Sequence, residues 1–214
     1  AGFGRFGQVV GRLLFASGIK VTVLDHDAEQ IEFLRRFGFR VFYGDATRHD
    51  LLEAAGAKHA KVIVNAIDDQ DGSLAFTDMI REHFPKAKLL ARARNVSHYF
   101  ELRKRGVEVP ERELFEGSVS VGRRTLESLG VPPFEAKERA DRFRRHNIAT
   151  LERLLETFHD ENSRLSVSNQ AREELARQFE EDSRALDKHR GGGWHDDGPP
   201  MSRSHRDVSY QAHS

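Results

Sequence analysis

The stretch Ala1-Gly2-Phe3-Gly4-Arg5-Phe6-Gly7 decides the fold of this chain. It is a G-x-G-x-x-G pattern, and the strand-like run of residues 19–24 that follows it closes on an acid, Asp25. In a strand–turn–helix unit this spacing serves a dinucleotide. Gly2 permits the tight turn, Gly4 lets the backbone approach a pyrophosphate, and Gly7 lets the helix lie close on its strand. The helix N-terminus then offers unpaired N–H groups and the positive end of its dipole to the phosphates. Asp25 suits a ribose with a free 2′-hydroxyl, since a 2′-phosphate would be repelled, so NAD(H) or AMP is expected rather than NADP. The other reading of Asp25 is an acid placed at a helix N-terminus. Arg5 and Phe6 fill the variable positions, where Arg5 reaches either a phosphate or solvent.

The pattern belongs after a first strand, which is expected upstream of Ala1. Residues 1–110 then alternate strands and helices. Phe6, Val9, Val10, Leu13 and Leu14 mark one face of a first helix, stopped by Gly18. A helix at 28–37, with Ile31 and Leu34 inward, is stopped by Gly38. Strands are expected at 39–43, 61–66, 88–93 and 107–109, the second of them β-branched and buried. Helices are expected at 50–55, after the acidic loop 68–71 and around 99–105. This rhythm predicts an α/β, Rossmann-like doubly wound parallel sheet, with ligands beyond the C-terminal ends of its strands.

After Pro110 the composition shifts to charged helix. Residues 111–158 read as a helical dimerisation arm, with helices at 116–129 and from 134 to about 158, broken by Pro132-Pro133. Along the second, Glu135/Arg139, Glu138/Arg142 and Asp141/Arg145 are i,i+4 pairs in the favourable acid-first order. So charged a helix with a narrow apolar stripe must pack on something, and a homodimer is expected. Residues 159–190 read as a charged helical extension with a helix around 171–188. Residues 191–214, rich in Gly, Pro, Ser and His, read as a disordered tail.

Composition excludes several classes. The chain has 214 residues with 34 Lys+Arg against 34 Asp+Glu, so net charge gives no pull toward nucleic acid. The interleaved acids of the arginine-rich stretch 139–145 argue the same way. With no cysteine there is neither disulfide nor thiol chemistry, and the eleven histidines show no metal-ligand spacing. No apolar run reaches the roughly 20 residues of a membrane span. A dehydrogenase needs a second domain with its own acid–base pair, and the helices after residue 110 have few apolar residues for one. A non-enzymatic sensor is therefore favoured, with an NAD-dependent oxidoreductase fragment as the alternative.

Two further positions stay open on the residues alone. In Gly44-Asp45-Ala46-Thr47, Asp45 and Ala46 follow a strand end and face an adenosine, or Thr47 caps the next helix. Arg92 and Arg94, at the end of the 88–93 strand, hold a phosphate or make ion pairs.

The run Ala1-Gly2-Phe3-Gly4-Arg5-Phe6-Gly7-Gln8, the segment Val41-Phe42-Tyr43-Gly44-Asp45-Ala46-Thr47, the strand end Ala91-Arg92-Ala93-Arg94, and Pro110-Glu111-Arg112-Glu113 followed by Phe115-Glu116 together resemble the Kef family. The match is to the cytosolic RCK or KTN domain of these glutathione-gated potassium efflux systems. It runs from Ala1 to about Asn147. The resemblance implies a regulatory domain on the cytoplasmic face of the bacterial inner membrane, joined to an upstream membrane transport domain. It implies a dimer holding NAD(H) or AMP, with glutathione or its S-conjugates at the dimer interface, and a quinone oxidoreductase-type flavoprotein as ancillary partner. The family's glutathione-site arginine and asparagine fall on Arg112 and Asn147, its adduct-sensing phenylalanine on Phe37, and a further interface arginine on Arg12. Where the family has an aspartate after the Ala-Arg-Ala-Arg strand, this chain has Asn95.

Overall fold

A computed structural model describes residues 1–156, 167 and 169–180. The elements are α1 (Arg5–Ala16), β1 (Thr22–Asp25), α2 (Ala28–Arg36), β2 (Arg40–Tyr43), α3 (His49–Ala55), β3 (Val62–Asn65), α4 (Gln70–His83), β4 (Lys88–Ala93), α5 (Val96–Lys104), β5 (Glu111–Arg112), α6 (Phe115–Ser128) and α7 (Pro133–Glu156). Residues 169–180 are helical and fall mostly in a separate compact unit. The rest of the 171–188 helix and the 191–214 tail lie outside the described residues.

Every strand pair is parallel. β1 pairs with β2 from Thr22↔Arg40 to Asp25↔Tyr43, and β4 lies between β3 and β5. Ala1 and Gly2 run between the two sheets. The Ala1 amino group donates to the Val64 carbonyl at 2.8 Å, the Ala66 N–H donates to the Ala1 carbonyl at 2.8 Å, and the Gly2 N–H to the Leu24 carbonyl at 3.0 Å. The glycine loop therefore enters from mid-sheet, between β1 and β3.

Neighbouring residues of a strand point to opposite faces. Val23 packs with Phe3, Leu34 and Phe39, whereas Leu24 joins the larger core around Phe76, Ile80, Phe100 and Leu102. Apolar packing on both faces is what a doubly wound parallel sheet requires. Asn65, fully buried, donates to the Ser73 carbonyl and to Thr77 Oγ1 at 2.8 and 3.0 Å, which ties the end of β3 to α4.

On α1 the buried positions are Gly7 and Gly11, while Val9 and Leu13 are each 67% exposed and Phe6, Val10 and Leu14 are half-buried. The helix approaches its neighbours through its glycines. Three expectations are corrected. β3 is not buried throughout, since Val62 is 48% exposed and Val64 only half-buried. The last strand is Glu111–Arg112, because the chain runs irregularly over 107–110 before it rejoins β4. Pro133 begins α7, where a missing N–H costs nothing.

α6 and α7 form a hairpin. Arg144 forks onto Glu116 with two bonds of 2.8 Å, and Phe115 stacks on Phe143. The Glu135–Arg139 pair forms at 2.5 Å, but Asp141 takes Lys137 and Arg144 in place of Arg145. Leu151 enters the main core and Glu152 accepts from Arg103 at 2.8 Å, fixing α7 on the sheet domain.

Candidate functional site

The glycine loop is built by close approach. Gly2 has φ +76°, and a Cβ there would stand 2.8 Å from the Ala66 carbonyl. A Cβ on Gly7 would lie 2.1 Å from the Gly2 oxygen, whereas one on Gly4 would meet nothing within 4 Å. Space therefore opens in front of Gly4, the N-cap of α1. No side chain caps that end and no acid occupies its first turn. The first N–H groups of α1 thus remain available to an anion.

Asp25, 7% exposed, closes the other side. Its Oδ2 accepts the Phe3 N–H at 2.5 Å and its Oδ1 accepts the Asp27 N–H at 2.9 Å. It holds the loop in place, and each oxygen keeps a further lone pair. The Gly44 N–H donates to the Asp25 carbonyl at 2.9 Å, bringing the 44–47 turn alongside. Asp45 Oδ1 accepts both the N–H and the hydroxyl of Thr47 at 2.8 Å, and these bonds hold its pKa low. Thr47 therefore serves Asp45 and does not cap α3. Ala46 is buried beside it. Arg5 is exposed, and Arg94, 54% exposed, lies 3.9 Å from Asp68. Arg92 is 5% exposed and forms ion pairs with Glu113 and Asp68.

A second constellation lies where β5 meets α7. Arg112 Nη2 donates to Asn147 Oδ1 at 2.5 Å, and the guanidinium carbon lies 3.7 Å above the Phe115 ring. Burial lowers the Arg112 pKa, against smaller opposing effects of Tyr99, Glu111 and Glu116. Among the described residues no carboxylate forms an ion pair with it. A half-buried guanidinium held by an amide and a ring, with donors to spare, is arranged for an incoming carboxylate. Asn95 caps α5 by accepting the His98 N–H at 2.8 Å, which leaves its amide N–H groups. Arg12 and Phe37 are exposed on α1 and just after α2. No described hydrogen bond, ion pair or ring contact joins either to Arg112 or Asn147. The sequence reading missed Glu113, Asp68 and Phe115 as partners, although Glu113 and Phe115 flank Arg112 closely.

His98 lies in the first turn of α5. It is 2% exposed, its Nδ1 accepts the Arg94 N–H at 3.2 Å, and its Nε2 has no partner. Burial, then Arg92 and Arg105, lower its pKa. Unfolded imidazole takes a proton near pH 6.5. Folded His98 takes it only at lower pH, so stability falls as pH drops below about 6.5. In His98→Asn the difference between urea midpoints at pH 7.5 and 5.5 should shrink. An unchanged difference would show that His98 does not carry the acid sensitivity.

Fold and loop together define a nucleotide-binding Rossmann-type domain that carries a helical hairpin. The chain belongs to the TrkA-N domain family, which matches residues 1–110, and the potassium efflux system KefB C-terminal domain matches residues 117–193. It is 53% identical over 194 residues to the glutathione-regulated potassium-efflux system protein KefC of Escherichia coli O139:H28, and equally to that of Shigella boydii serotype 18. These alignments cover 91% of this chain and 31% of each relative, so the chain spans about a third of their length. The solved Kef CTD of Shewanella denitrificans in AMP-bound form superposes with a TM-score of 0.68 at 43% identity, over 73% of this chain and 96% of that one. The TrkA-N domain of the Escherichia coli inner membrane protein ybaL shares the fold, with a TM-score of 0.52 at 24% identity over 60% and 91%. None of these names is that of an oxidoreductase. No helix among the described residues is long and apolar enough to cross a membrane.

Proposed function

We propose that this chain is the ligand-sensing regulatory domain of a glutathione-gated potassium efflux transporter. The observation that carries the reading is Arg112: a half-buried guanidinium paired with an amide, in a chain of the TrkA-N family. It holds a carboxylate of glutathione, with Asn147 fixing the fork. NAD(H) or AMP occupies the glycine loop. The first turn of α1 takes its phosphates, Asp25 its ribose hydroxyls and the Asp45–Ala46 turn its adenosine side, with Arg5 and Arg94 as nearby cations. The nucleotide supplies charge and shape that order the loop. The relatives' description as a glutathione-regulated potassium-efflux system supports a regulatory role over turnover.

Arg12 and Phe37 complete the glutathione site from a second copy of the chain, across the dimer interface that the Kef resemblance implies. The exposed Val9 and Leu13 beside Arg12 support that contact. Glutathione and its S-conjugates share carboxylates, so only the group on sulfur, pressing on Phe37, distinguishes them. A ligand shifts an equilibrium only through such a difference. The transport domain upstream, the flavoprotein partner and the cytoplasmic face of the inner membrane complete this reading.

Calorimetry of AMP and NADH against wild type and Asp25→Ala tests the nucleotide half. The variant loses ribose contacts and the anchor of Phe3, so affinity should fall by about tenfold or more, one to two charge-assisted bonds. Equal affinity in both proteins would remove Asp25 from the site.

A further inference from the structure

The end of β4 holds a buried guanidinium that neither ligand site uses. Arg92 Nε and Nη2 donate to Glu113 Oε2 at 3.0 and 2.5 Å, Nη2 also to Asp68 Oδ1 at 2.6 Å, and Nη1 to the Ala66 carbonyl at 3.4 Å. Its guanidinium carbon lies 5.7 Å from the centre of the Phe6 ring. These partners come from separate segments. Phe6 belongs to the glycine pattern, Ala66 and Asp68 to the β3–α4 loop, and Glu113 to the residue after β5. Ala66 is also the wall against which Gly2 packs. Glu113 adjoins Arg112, and its N–H donates to the Ala93 carbonyl at 3.0 Å, beside the Ala93↔Arg112 register pair. One planar group thus touches the walls of both candidate sites.

We infer that Arg92 is a positioning residue that couples the two sites: through Phe6 and Ala66 it sets the glycine loop, and through Glu113 it sets Arg112, so that filling one site changes affinity at the other. The inference rests on the two-site reading above. A guanidinium fork is rigid, so Glu113 cannot move without carrying the plane against Asp68 and Phe6. A buried ion network is weak evidence for stability, which leaves geometry as what it supplies.

The test is the linkage between ligands, which is reciprocal by necessity. AMP is titrated into the intact chain with and without saturating glutathione, and glutathione with and without AMP. In wild type the affinities should shift by about fivefold or more, by the same factor both ways. Glu113→Gln keeps the volume and an acceptor but removes the charge, and Arg92→Lys keeps the charge but removes the fork. In both, the factor should collapse toward one even when the loss in each separate affinity is taken out, an outcome a merely structural role would not give. A factor of one in wild type, or an undiminished factor in either variant, overturns the inference. If one ligand fails to bind the wild type, the two-site reading falls and the coupling with it. If both bind without linkage, the coupling alone is wrong.

Discussion

Gly7→Ala should unfold the glycine loop and abolish nucleotide binding. The added Cβ would stand 2.1 Å from the Gly2 oxygen and 3.1 Å from the Gly2 carbonyl carbon, both backbone atoms with no rotamer to give way. α1 cannot simply retreat, because it seats Gly11 against the ring of Phe3. That ring is buried and meets Phe39 edge-on at 5.4 Å. Overpacking of this kind costs about 3 kcal/mol at the upper end of its usual range. For a chain of this size that lowers the thermal midpoint by about 6–12 °C. Gly4→Ala is the contrast. It has an ordinary φ of −65° and open space at its Cβ, so stability should hold to within about 0.5 kcal/mol. Its methyl group would still stand where a pyrophosphate approaches, so AMP affinity should drop. Thermal melts with AMP calorimetry on both variants check this. An unchanged midpoint in Gly7→Ala would mean that α1 has room the geometry denies it.

Arg112→Ala should abolish most glutathione affinity while leaving the fold intact. Charge-assisted bonds to a carboxylate are worth about 1.5–3 kcal/mol, so the affinity should fall by about 10- to 150-fold. Stability should change little, because two effects oppose each other. Stacking on Phe115 and the Asn147 bond are lost, but so is a guanidinium whose desolvation already lowers its pKa. Arg112→Lys keeps the charge as a point without the fork, and should recover only part of the affinity. Calorimetry of glutathione, with AMP titrated in parallel as a control on folding, decides it. Full glutathione affinity in Arg112→Ala would move the carboxylate site elsewhere.

The sequence by itself determined what is local or periodic in this protein. The three glycines, the strand ending at Asp25 and the alternation of short apolar runs with helical ones sufficed for a doubly wound parallel sheet. Each of those signals is carried within a few residues of itself, because backbone sterics and side-chain period act at that range. Tertiary structure alone decided which face of α1 is inward. The helix had an evident apolar stripe, yet its closest contacts are made by Gly7 and Gly11, since only a missing side chain lets α1 lie so near the loop. It also decided the fate of the two arginines at the end of β4, Arg92 within it and Arg94 just beyond. Arg92 and Arg94 are alternate residues of one strand end, but Glu113 lies 21 residues beyond Arg92 and Asp68 lies 24 before it, so nothing local distinguishes them. Likewise Arg112 and Asn147, 35 residues apart, meet only because β5 returns beside β4 and Leu151 and Glu152 pin α7 to the sheet domain. Pairing at that separation is fixed by how the elements pack, and packing is a property of the assembled chain.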